Sequence, residues 1–217
     1  MKNIILFDLD GTLIDSTDAI LSTFQHSFKE MNYDFKGSNE DIKSLIGYPL
    51  DVMYLKLGIK EKFVWDFVDT YKKRYKLISK QQTELLETAK ESLQYASTFA
   101  RLSVVTTKTG SYSKELLEHM EVMHYFEHLI GREDVQNPKP HPEPINKTLE
   151  LMNVEKNSNI WMIGDTELDL IAANSAGIKS VGVLCGYGDI STLKKHTPYI
   201  VKNSLEAVKL IEENSRL

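Results

Sequence analysis

From Thr83 onward, helical patterns take turns with short apolar runs, and few folds accommodate that alternation. Leu85, Leu86, Ala89 and Leu93 at helical spacing precede the run 102–107. Leu116, Leu117 and Met120 precede 128–131, and Ile145, Leu149 and Met152 precede 160–165. A helix from Ile171 to Ala176, closed by Gly177, precedes 181–184, and Tyr199-Ile200-Val201 adds a short edge strand before a last helix. Ile4-Ile5-Leu6-Phe7 at the start is one more run, of the kind that forms a strand buried on both faces. Strands alternating with helices build right-handed βαβ units, hence a parallel sheet covered on both sides. The expected class is α/β, a Rossmann-like doubly wound parallel sheet.

An all-helical insert interrupts this pattern early. Ser16 or Asp15 is placed to cap a helix whose apolar face runs Ile20, Phe24, Phe28, Met31, and Gly37-Ser38-Asn39 breaks it. A shorter helix leads to a loop at 45–50, marked by Gly47 and Pro49. From Glu61 a longer helix carries Phe63, Val64, Phe67, Val68, Tyr71, Tyr75 and Ile78, an aromatic stripe expected to pack. The sequence thus divides into a core at 1–15 and 82–217 and a helical unit at 16–81.

Composition closes off several classes. A net charge of −5 speaks against a nucleic-acid surface, and Lys72-Lys73-Arg74-Tyr75-Lys76 reads as a solvated helix face. No apolar run approaches the ~18 residues of a membrane span. The first apolar run stops at Asp8, too soon for a signal peptide. Cys185 is the single cysteine, so no intramolecular disulfide forms, and a cytoplasmic location is expected.

The strand ends carry the chemistry. The first delivers Asp8-Leu9-Asp10-Gly11-Thr12, with two carboxylates at i and i+2 where open α/β sheets bind ligands. Two anions so close need a cation, a proton or a functional reason. Thr106 and Thr107 finish the second strand, followed by Lys108. Lys139 sits in a proline-dense turn at 137–144, and Gly164-Asp165 opens a helix in which Asp165 and Asp169 lie one turn apart. Converging strand ends set Asp8, Asp10, Asp165 and Asp169 against Lys139 and a hydroxyl. That set suits a hard cation with oxygen ligands, Mg²⁺ in particular. The cation, Lys139 and the Thr106 hydroxyl together neutralise a phosphoryl group and leave one Asp free to attack it.

This set, in this order, resembles the haloacid dehalogenase superfamily of phosphohydrolases. Its four motifs match at Asp8-Leu9-Asp10-Gly11-Thr12, at Thr106, at Lys139 and at Gly164-Asp165 with Asp169, and the helical insert looks like that superfamily's C1 cap. The phosphoglycolate-phosphatase-like branch is the nearest match. The resemblance implies that Asp8 is the nucleophile that forms an aspartyl-phosphate, and that Asp10 protonates the leaving oxygen and later activates water. It implies Mg²⁺ held by Asp8, the Asp10 carbonyl and Asp165, with Thr106 and Lys139 on the phosphoryl oxygens and Asp169 orienting Lys139 or a metal-bound water. Gly11 and Thr12 support the first motif, while Gly47 and Tyr48 in the cap loop select the ester. One departure is Thr107, where the family usually has Asn; its backbone N–H can still reach the phosphate.

The expected function is a Mg²⁺-dependent phosphatase for a small phosphorylated metabolite such as phosphoglycolate. Inorganic pyrophosphatase and sugar-phosphate phosphatase or mutase of the same fold are the alternatives. A non-catalytic module that senses a phosphorylated ligand is the reading from another class. Asp10 argues against dehalogenases, which lack the second aspartate. Nothing in the sequence sets an oligomeric state. Among the histidines, His124 and His128 share a helix face only if one helix spans both, and His141 flanks Lys139. Gly186-Tyr187-Gly188 is expected as a loop near the mouth of the site.

Overall fold

The computed structural model describes residues 3–154 and 159–215, so parts of the expected core at 1–2, 155–158 and 216–217 lie outside it. The strands are β1 (Asn3–Phe7), β2 (Ile14–Asp15), β3 (Glu84–Leu85), β4 (Ala100–Val105), β5 (Phe126–Ile130), β6 (Ile160–Gly164), β7 (Lys179–Val183) and β8 (Ile200–Val201). Six of them form one parallel sheet in the order β5-β4-β1-β6-β7-β8. The chain builds outward from β1 to β5, then returns to the other side of β1 and builds outward again. The reversal opens a crevice at the C-terminal ends of β1 and β6. There the Asp8 N–H donates to the Ile163 carbonyl at 2.9 Å, tying the end of one strand to the other.

The helices are α1 (Thr17–Glu30), α2 (Asn39–Lys43), α3 (Leu50–Lys56), α4 (Val64–Ile78), α5 (Ala89–Ser97), α6 (Gly110–His119), α7 (Glu143–Leu151), α8 (Glu167–Ala176), α9 (Ile190–Leu193) and α10 (Ser204–Ser215). Side chains alternate across a strand, and β1 divides accordingly. Ile5 and Phe7 join Leu102, Val104, Trp161 and Ile163 in a cluster sealed by α5, α6 and α10. Ile4 and Leu6 join Ile160 and Met162 under α7 and α8. Each large apolar side chain so buried contributes about 1.5–3 kcal/mol over exposure, which makes the strands a stiff base for the loops they carry. Between β2 and β3, helices α1, α3 and α4 form a core of their own around Phe24, Phe28, Tyr54, Phe67 and Tyr71. No helix among the described residues is long and apolar enough to cross a membrane.

Several local expectations are corrected. Ser16 precedes α1 but does not cap it; its hydroxyl donates to Asp10, and Asp15 Oδ1 takes the Thr17 N–H at 2.9 Å instead. Residues 84 and 85 are not helical. They form β3, antiparallel to β2 with Ile14 opposite Leu85, because the chain leaves and re-enters the sheet region side by side and each segment satisfies the other's backbone. The helix begins only at Ala89. Phe63 lies in a 3₁₀ turn, Glu61–Phe63, and is exposed rather than packed. Gly37-Ser38 proves to be a start as well as a break, since Ser38 and Asp41 cap α2 reciprocally. No helix joins His124 to His128: β5 starts at Phe126 between them.

Candidate active site

Four buried charged side chains meet at the crevice. Lys139 Nζ lies 2.8 Å from Asp8 Oδ1, 2.5 Å from Asp169 Oδ1 and 2.8 Å from the Val105 carbonyl. Three acceptors use all three ammonium protons and fix the Lys139 head. Asp169 Oδ2 receives the Thr166 N–H at 3.1 Å and the Thr166 hydroxyl at 2.8 Å, the capping box of α8. Asp165 Oδ1 receives the Thr12 hydroxyl at 2.9 Å and Asp165 Oδ2 the Tyr187 N–H at 2.8 Å. Gly11 makes this fit possible. It has φ +81°, and a Cβ there would lie 2.4 Å from Asp165 Oδ2.

The cluster is short of positive charge. Burial, then repulsion from Asp169, pushes the Asp8 carboxyl up to about 7 against the pull of Lys139. Burial, Asp8 and Asp169 together push Asp165 well above the ordinary carboxylate range. Burial opposes the Lys139 ammonium too, but Asp169 and Asp8 outweigh it and hold the proton on. Three carboxylates against one ammonium, all out of water, carry a large desolvation cost that a second cation relieves.

Oxygen atoms of Asp8, Asp165 and Asp169 lie within 4.8 Å of one another. Asp169 is already neutralised by the Lys139 ammonium, whereas Asp165 accepts only from the neutral Thr12 hydroxyl and Tyr187 N–H, so Asp165, with Asp8 beside it, carries the charge that an ion would offset. An all-oxygen donor set with two available carboxylates fits Mg²⁺, which takes few protein ligands and keeps several waters.

Asp10 sits apart from this cluster, on the side of the helical unit. Lys108 Nζ spans its two oxygens at 3.0 and 3.1 Å, Ser16 donates to Oδ1, and the Lys108 ammonium lies 4.5 Å from the centre of the Tyr75 ring. Thr106 is buried at the end of β4 and accepts the Lys108 N–H at 3.1 Å. Thr107 turns instead to the Gly47 carbonyl, at 2.8 Å. Tyr48 is half-buried beneath the Lys56 ammonium and, with Gly47, faces a cavity between the helical unit and the sheet. His141 is exposed and accepts the Glu143 N–H, away from the cluster.

Sequence reasoning gave Lys108 no role, read Ser16 as a helix cap and placed Tyr187 only in a loop near the mouth of the site. Lys108 followed a strand-end threonine pair and was the one that carried a readable signal. Tyr187 holds the site twice, by its N–H to Asp165 and by its hydroxyl 3.0 Å from that of Thr17.

A doubly wound parallel sheet with carboxylates and a lysine at its switch point is the frame of a Rossmann-like α/β enzyme. A family model described as haloacid dehalogenase-like hydrolase matches residues 5–183. Pyrophosphatase PpaX of Halalkalibacterium halodurans is 32% identical over 183 residues, covering 83% of this chain and 83% of that protein. A phosphoglycolate phosphatase of Aquifex aeolicus is 29% identical over 215 residues, with 97% of each chain covered. A solved haloacid dehalogenase-like hydrolase from Streptococcus pneumoniae superposes with a TM-score of 0.86 at 26% identity, covering 96% of this chain and 98% of its own. The chain belongs to the haloacid dehalogenase-like hydrolase family. Within it the protein is a hydrolase of the phosphatase kind.

Proposed function

We propose that this protein is a Mg²⁺-dependent phosphatase that hydrolyses a small phosphate monoester through an aspartyl-phosphate on Asp8, with the helical unit at 16–81 acting as a cap over the site. The observation that carries the reading is the buried Asp8–Lys139–Asp169 arrangement beside Asp165. Asp8, Asp165 and the Asp10 carbonyl would hold Mg²⁺, which when bound offsets the charge of the phosphoryl oxygens and of the attacking carboxylate. Asp8 Oδ attacks phosphorus, the bond to the leaving oxygen breaks, and that oxygen takes a proton from Asp10. Asp10, now a carboxylate, removes a proton from a water that attacks the aspartyl-phosphate. Inorganic phosphate leaves and Asp8 is restored. Lys139, which turns to the phosphoryl oxygens the proton it gives Asp8 in the free enzyme, and the Thr106 hydroxyl hold the phosphoryl group, and Asp169 fixes Lys139. A positioned acid–base group of this kind supplies ~10²–10⁴ in rate.

Relatives named pyrophosphatase PpaX support a second reading, in which the leaving group is phosphate. A panel of monoesters and pyrophosphate, assayed with Mg²⁺ and with chelator, separates the two. Enzyme acid-quenched during turnover should carry phosphate on the peptide that contains Asp8. An unmodified peptide at substantial turnover would refute the covalent mechanism.

A further inference from the structure

A cavity of about 280 Å³ lies between the helical unit and the sheet, beginning at Asp10, Thr107 and Lys108. It could hold about nine waters at ~30 Å³ each, so a two-carbon alcohol or a second phosphate leaves most of it unfilled. Its wall is aromatic. Tyr71 and Tyr75 stack with ring centroids 5.5 Å apart, and Tyr112 continues the stack 6.3 Å beyond Tyr75. Met53 and Val68 add apolar surface, and Trp65 stands at the rim with 62% of its surface exposed.

A further observation narrows what fits. The charged groups on the wall are three acids (Asp10, Asp51, Glu133) and three bases (Lys72, Lys108, Arg132), which leaves no net positive charge for a phosphate leaving group. Lys108 is moreover taken by Asp10, and Arg132 donates to the Val135 carbonyl.

Resting on the phosphatase reading, we infer that the leaving group is an apolar, ring-bearing alcohol. The substrate is then an arylalkyl or aryl phosphate monoester rather than phosphoglycolate or pyrophosphate. The ring slides against the tyrosine stack, Trp65 covers its outer edge, and the ester oxygen stays beside Asp10. Aromatic stacking and apolar burial select this group, since a flat ring gains from both.

The test compares phenethyl phosphate with ethyl phosphate, whose leaving alcohols have similar acidity, alongside phosphoglycolate, pyrophosphate and acetyl phosphate, all with Mg²⁺. Phenethyl phosphate should exceed ethyl phosphate, phosphoglycolate and pyrophosphate in kcat/KM by at least about tenfold, the scale of apolar pocket discrimination. Trp65→Ala, at an exposed position, should lower the phenethyl-to-ethyl ratio. Equal use of phenethyl and ethyl phosphate, or preference for phosphoglycolate, overturns the inference while leaving the phosphatase reading intact. Preference for pyrophosphate overturns the inference and selects the pyrophosphatase reading. No turnover of any of these phosphates, acetyl phosphate included, overturns the phosphatase reading and this inference with it.

Discussion

The Thr107 hydroxyl donates to the Gly47 carbonyl across 2.8 Å, joining the end of β4 to the loop between α2 and α3. This is the position where the family usually carries Asn, and the threonine turns its side chain to the helical unit rather than to the strand-end cluster. Thr107→Val keeps the shape and deletes the bond. KM for the best ester should rise roughly 3–10-fold with kcat little changed, and Thr107→Ser should restore it, as expected for one hydrogen bond of about 1 kcal/mol. A fall in kcat with unchanged KM would instead put Thr107 at the reacting phosphoryl group.

Lys108 holds Asp10 by both oxygens, at 3.0 and 3.1 Å, while its ammonium lies over the Tyr75 ring. Burial opposes the Lys108 charge, but Asp10 and Tyr75 outweigh it and hold the proton on. Lys108→Met retains the apolar stem and frees Asp10 to rotate. Misplacing a reacting group by about 1 Å costs on the order of 10²-fold, so kcat toward an alkyl phosphate should drop by about that factor. Lys108→Arg should recover part of the loss. Steady-state kinetics on the three proteins decides the matter.

Asp10→Asn removes the proposed proton donor but not the backbone carbonyl proposed to hold the metal. Turnover of an alkyl phosphate should fall by about 10²–10⁴-fold, and that of an activated aryl phosphate much less, because its leaving oxygen needs little protonation. Equal losses for both esters would remove Asp10 from the acid role.

The metal prediction follows from charge. With Asp8 raised from 3.8 to about 7, the folded protein binds a proton that the unfolded chain has released across that interval. Stability of the cation-free protein should therefore fall as pH rises between those two values. A bound cation favours the ionised carboxylates and cancels the loss. Mg²⁺ should raise Tm more at about pH 8 than at about pH 5, and a chelator should abolish turnover. A Mg²⁺ shift in Tm that is the same at both pH values would count against Asp8 as a ligand.

The sheet was legible because strands buried on both faces read as continuous apolar runs, and Ile160-Trp161-Met162-Ile163 is one by any measure. The strand-end aspartates and Lys139 were legible for a related reason: charges next to such runs have few structural uses. What the sequence hid was contact made at long range. β2 and β3 are two residues each, too short for any periodicity, and pair across nearly seventy positions of intervening chain. Ser16 looked like a helix cap because local spacing favours that role, yet Asp10 captures its hydroxyl. The cavity wall escaped notice because Tyr71, Tyr75 and Tyr112 come from two separate helices, α4 and α6, and only folding stacks them.

Gly11 and Gly186 give the most direct test of whether Asp165 holds the cation. A Cβ at Gly11 would fall 2.4 Å from Asp165 Oδ2, and one at Gly186 would fall 2.1 Å from the same atom. Either substitution must push the Asp165 carboxylate out of the place where Thr12 and Tyr187 hold it. Displacing a metal ligand through its supporting shell typically costs 10–100-fold in metal affinity. Gly11→Ala adds backbone strain on top, about 1–2 kcal/mol for a non-glycine residue at φ +81°. Gly186→Ala carries no such φ strain, although its Cβ would also fall 2.5 Å from the Gly11 carbonyl. The Mg²⁺ concentration for half-maximal activity should rise about 10–100-fold in Gly186→Ala, with high Mg²⁺ restoring most of the turnover. In Gly11→Ala the same rise should come with a lower Tm for the cation-free protein. Wild-type Mg²⁺ dependence in Gly186→Ala, measured by titration of activity, would remove Asp165 from the metal site.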